Sequence, residues 1–108
     1  MHITIEALES YLADRYGGWA NEQSMFMKLV EEMGEVAEVL NKKVGRKAND
    51  EDNINEHLGI ELADMIHYIL AIAALNNLDM ERIILEKDKT ASIKYNHRIN
   101  LEQFLQNR

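Results

Sequence analysis

Ile60-Glu61-Leu62-Ala63-Asp64-Met65-Ile66-His67-Tyr68-Ile69-Leu70-Ala71-Ile72-Ala73-Ala74-Leu75 is the most apolar stretch of the chain, and it opens with two carboxylates. Its spacing predicts a helix from about Glu56 to Asn76. At ~100° per residue, Glu61 and Asp64 lie about 60° apart and share their wedge with Met65, Tyr68, Ile72 and Leu75. The acids cannot both meet water while those neighbours pack in a core. An isolated buried carboxylate is costly and tends to take up a proton.

A second helix is expected from about Asn21 to Val44, ended by Gly45 in a left-handed terminating position. Phe26, Leu29, Val30, Met33, Ala37 and Leu40 fall on one arc, the expected core face. Glu32 and Glu35 sit beyond one edge of it, flanked by Met25, Val36 and Val39, with Glu31 and Glu38 further toward solvent. Should the two helices face one another, these acids meet Glu61 and Asp64 in a poorly hydrated place. Magnesium would relieve both burial and repulsion, because this hard cation takes carboxylate and phosphate oxygens. Two other readings stand beside it. Glu-rich faces are commonly solvated surface, and Glu61 and Asp64 could pair with arginine or lysine from another helix or subunit. His57 falls near the acidic wedge without a role that the residues define.

Working outward, Thr4 to Tyr16 reads as a first helix, with Ile5, Leu8 and Leu12 on one side and Gly17-Gly18 at its end. Arg46 to Asn55 is the longest expected loop. Asp79 is placed to cap a fourth helix reaching about Tyr95, and Asn100-Leu101-Glu102-Gln103 resembles a capping box before a short tail helix. The expected fold class is all-α, a compact bundle of four or five helices. A helix apolar on nearly every side needs cover that one small bundle lacks, so self-association is expected.

The whole chain has 108 residues, no proline, five glycines and no cysteine. That length suits one domain over residues 1–108, and the absence of cysteine removes disulfides and thiolate chemistry. The formal charge of −7 argues against DNA or RNA binding through phosphate neutralisation, yet permits a nucleotide that arrives with its cation. Met1 to Glu6 lacks the basic region and apolar run of a secretion signal. The uncharged part of the third helix, which includes His67 and Tyr68, is too short for a membrane span. No membrane association and a cytoplasmic location are expected.

Lys28-Leu29-Val30-Glu31-Glu32-Met33-Gly34-Glu35-Val36-Ala37-Glu38, then Glu61-Leu62-Ala63-Asp64, then Lys94-Tyr95-Asn96-His97-Arg98 together resemble the all-α nucleoside triphosphate pyrophosphohydrolases typified by MazG. That group includes dimeric dUTPases and phosphoribosyl-ATP pyrophosphohydrolase. Its pattern is Glu-x-x-Glu, a variable spacer, and Glu-x-x-Asp; the likeness covers roughly residues 19 to 98.

The resemblance implies that Glu32, Glu35, Glu61 and Asp64 bind Mg2+, with Mn2+ as a substitute. It also implies cleavage of a nucleoside triphosphate, a dNTP or modified nucleotide, between the α and β phosphates to give a monophosphate and pyrophosphate. Glu35 is the preferred general base, with Glu31 or Glu32 as fallback. Lys94 and Arg98 would offset pyrophosphate charge, and Asn96 would hydrogen-bond phosphate, sugar or base. Lys28 reaches phosphate or pairs with Glu32, and Trp19 stacks on a base or anchors the Gly-Gly turn. Tyr68 packs or hydrogen-bonds to an acid. Related proteins form dimers, sometimes tetramers, with sites near subunit interfaces. The alternatives are hydrolysis of a phosphoribosyl nucleotide, or a non-catalytic helical module whose acids pair with a partner's arginines.

Overall fold

A polar side chain opens every helix in the computed structural model, which describes residues 1–108. Thr4, Asn21, Asn53, Asp79 and Asn100 accept from the backbone N–H three residues on, at 2.8–3.1 Å. Each bond satisfies a donor that the first turn leaves free. The helices are α1 (Ile5–Tyr16), α2 (Glu22–Lys43), α3 (Ile54–Leu75), α4 (Met80–Lys94) and α5 (Leu101–Gln106). The capping box at Asn100 is complete, since the Gln103 side chain also accepts from the Asn100 N–H at 2.9 Å. Gly45 follows α2 with φ 81°, the left-handed conformation expected there. α3 begins two residues earlier than its periodicity predicts, because Asn53 caps it.

The architecture is all-α with five helices, as expected, but it is open and not the compact bundle expected. The radius of gyration is 17.0 Å, against about 13 Å for a compact chain of this length. α3 lies between α1 and α2, whereas α4 packs on α1 and α5. Leu12 and Tyr16 of α1, Met25 of α2 and Leu70, Ala71 and Ala74 of α3 form the core. The Met80 N–H donates to Glu9 at 3.3 Å, and the Leu101 N–H to Asp88 at 2.6 Å, which ties α4 to α1 and α5 to α4.

The inward face of α2 differs from the predicted arc by one residue. Met25 and Val39 are buried against the rest of the chain, with Leu29, Glu32 and Val36 half-buried between them. Phe26, Val30, Met33 and Leu40, expected in the core, are 54%, 42%, 51% and 44% exposed. α2 carries two apolar stripes at the spacing of successive turns, and α3 covers the one that contains an acid. On α3 itself, Ile60, Leu62, Ile66 and Ile69 remain exposed. By length and composition alone α3 could cross a membrane, contrary to the expectation from its uncharged part. Its place between α1 and α2 makes it the central helix of the fold.

Candidate metal centre

Glu32 reaches the α2–α3 seam because it belongs to the inward stripe, one turn beyond Leu29. Glu61 and Asp64 occupy the facing side of α3. One carboxylate oxygen each from Glu32, Glu61 and Asp64 lie within 4.8 Å of one another, and the same limit joins Glu35, His57 and Glu61. The four acids that the resemblance implies as ligands therefore fall in two overlapping groups, with Glu61 common to both. Glu61 is the most enclosed of the ion-paired acids, its side chain 13% exposed. Its Oε2 is buried with no hydrogen-bond partner. A buried carboxylate oxygen left alone is energetically expensive, and a cation or a proton shared with a neighbouring acid would relieve that cost.

The electrostatics agree. Glu32 is pushed up to about 7, chiefly because Glu61 is close enough for the two to share a proton, with burial and the charges of Asp64 and Glu35 adding to it. No lysine or arginine of the chain forms an ion pair with Glu32, Glu35, Glu61 or Asp64. Their basic neighbour is His57, whose Nε2 lies 3.4 Å from Glu61 Oε1. His57 Nδ1 lies 2.6 Å from Glu51 Oε1, and this contact is the main reason its pKa is raised. Glu51 in turn takes Lys42 Nζ at 3.0 Å.

Other expected site residues lie elsewhere. Glu31 pairs with Lys28 at 3.5 Å, and both are well exposed; of the two alternatives for Lys28, the pair with Glu32 does not form. Trp19 donates its indole N–H to the Arg15 carbonyl at 2.9 Å and leans on Tyr16, so it anchors the turn while leaving 71% of its surface open. Tyr68 makes no hydrogen bond to an acid; it packs edge-on against His67 at 5.0 Å. His67 sits 2.7 Å from the Tyr16 hydroxyl, and burial lowers its pKa. Lys94, Asn96 and Arg98 stand exposed at the far end of α4, a helix whose packing is on α1 and α5. Asn96 has φ 56°, so it ends α4 in a left-handed conformation that asparagine tolerates. Within one chain these three do not join the acids.

Sequence reasoning assigned nothing to Glu51 and Lys42. His57 carried a usable signal, since it precedes Glu61 by four residues and so shares its face. Glu51 and Lys42 carried none, because a loop and a helix end meet only in the folded chain.

Carboxylate oxygens from two helices, converging with one buried oxygen unpartnered, suit a hard divalent cation and the phosphate chemistry that accompanies it. The family model for the MazG nucleotide pyrophosphohydrolase domain matches residues 20–100, and the chain belongs to that family. Comparisons with curated proteins and with solved structures give no match.

Proposed function

We propose that this protein hydrolyses a nucleoside triphosphate, a deoxynucleotide or a modified one, between the α and β phosphates, releasing nucleoside monophosphate and pyrophosphate. The observation that carries the reading is the convergence of Glu32, Glu61 and Asp64, with one oxygen of Glu61 buried and unpartnered. Glu32, Glu35, Glu61 and Asp64 would hold Mg2+, or Mn2+ in its place. When bound, the ion supplies Lewis-acid polarisation of the phosphate oxygens and charge neutralisation.

The chain's own residues do the rest. Glu35 is exposed at the edge of the cluster, where it can accept the proton of a water attacking the α-phosphorus. As the new P–O bond forms, the bond from the α-phosphorus to the bridging oxygen breaks, and pyrophosphate leaves with that oxygen. Positive charge from Lys28, Lys94 and Arg98 offsets the charge of the leaving group, Asn96 hydrogen-bonds the substrate, and Trp19 offers an exposed face to a base. Lys94, Asn96 and Arg98 fulfil these roles from a second subunit. The exposed stripes of α2 and α3 fit a homodimer or homotetramer in which copies cover one another.

A panel of canonical and modified triphosphates with Mg2+, scored for monophosphate and pyrophosphate, tests bond position and substrate class together. Glu61→Gln should reduce turnover by about 100-fold or more while the assembly stays intact. Full turnover by this variant, or release of orthophosphate in place of pyrophosphate, refutes the assignment. A wild type with no turnover, whose Glu61→Gln variant loses a protein partner, would support the interaction module instead.

A further inference from the structure

Lys42, Glu51 and His57 lie outside the acid motifs, yet they form one connected chain that ends on Glu61. Lys42 stands in the last turn of α2, Glu51 in the connection, and His57 in the first turns of α3. Lys42 Nζ to Glu51 Oε2 is 3.0 Å, Glu51 Oε1 to His57 Nδ1 is 2.6 Å, and His57 Nε2 to Glu61 Oε1 is 3.4 Å. The side chains of Lys42 and Glu51 are only 19% and 23% exposed, so this is not a solvated surface pair. Asp50, also within 3.7 Å of Lys42, is 86% exposed and adds little.

The two oxygens of Glu61 are thereby made unequal. Oε1 has His57; Oε2 is buried and no N–H group reaches it. A protonated His57 attracts Oε1 across 3.4 Å and so biases the carboxylate toward presenting its other oxygen elsewhere. Partners of this kind behind a metal ligand hold it in place for the ion.

We infer that Lys42, Glu51 and His57 are positioning residues that fix Glu61 through Oε1 and leave Oε2 available to a divalent cation, making the α2–α3 connection part of the site. The inference rests on the cation-binding reading proposed above. It assigns the connection a supporting role beyond joining two helices.

Mn2+ binding by isothermal titration calorimetry, without nucleotide, tests it on the full chain. His57→Ala should weaken Mn2+ by about 10- to 100-fold, with Glu51→Gln shifted the same way by less. His57→Gln, whose amide N–H can still donate to Glu61, should bind more tightly than His57→Ala. At saturating Mn2+ the kcat of each variant should return toward the wild-type value, a recovery that a misfolded site would not show. Affinities of His57→Ala and Glu51→Gln equal to or tighter than wild type, to within about twofold, overturn the inference. That result leaves the cation reading standing if Glu61→Gln still abolishes binding. A wild type that takes up no Mn2+, or a Glu61→Gln variant that binds as well as wild type, removes both readings. Should His57→Ala fail to fold, Glu51→Gln and Lys42→Met carry the test, since both leave the His57 ring in place.

Discussion

Glu32 and Glu61 show how two residues of one type acquire different chemistry from position. In the protein freed of divalent cations, Glu32 titrates near 7 and not near 4.5, so the native state holds a proton that the unfolded state has lost between those values. Stability therefore falls as pH rises through that interval. His57 acts in the same direction. Its pKa is raised above 6.5, so its contribution is complete below that value and is lost as pH climbs through the folded one. Glu51 is lowered below 4.5, so the stability it contributes is lost only in more acid solution. The melting temperature of chelator-treated protein should consequently decline from about pH 5 to about pH 8, and Mg2+ should flatten the decline by replacing the proton. A profile measured in chelator that is flat or rising over that range contradicts the account.

At the scale of the element, capping side chains define where the helices begin. Asn53 is the informative case, because it sets the start of α3 and hence the turn on which His57 and Glu61 stand. Asn53→Ala removes the bond to the Glu56 N–H and should cost about 1 kcal/mol, read from the urea midpoint at unchanged m-value. Leu12→Ala, at a fully buried position, should cost more, about 2–5 kcal/mol. Much of this level was legible in the sequence. Asp79 and Asn100 announce their helices, Gly45 ends α2 as its lack of a side chain allows, and the Glu61–Asp64 wedge is readable from its apolar neighbours. The inward face of α2 was not legible. Phe26 and Met25 begin stripes of equal spacing, and the Phe26 stripe is the one without an acid, so hydrophobicity points to the wrong face. The choice is made by α3, which brings its own acids against Glu32. The Lys42–Glu51–His57 chain was hidden for a related reason: it joins three segments that no single period connects.

For the whole molecule, the open shape and the uncovered stripes are the ground for the proposed self-association. Covering Phe26, Val30, Met33 and Leu40 with a second copy would remove apolar surface from water at about 25 cal/mol per Å2. Light scattering should give a mass of at least twice the 12.5 kDa of one chain. Phe26→Glu with Met33→Glu should shift it to the monomer value, because two charges in such an interface are not compensated. If the wild type already has the mass of one chain, the stripes serve another purpose and the placement of Lys94, Asn96 and Arg98 in a neighbour's site falls with them. The family match covers residues 20–100 and includes these three residues together with all four acids.

The length and greasiness of α3 carry a cost for the cell that makes it. While it leaves the ribosome, before α1 and α2 close around it, a segment of this kind resembles cargo for the insertion machinery. An aspartate at the centre of such a helix opposes entry into lipid by about 2.5–3.5 kcal/mol, and Asp64 lies near the middle of α3 with Glu61 one turn before it. The two acids proposed as cation ligands thus also oppose entry of this helix into lipid.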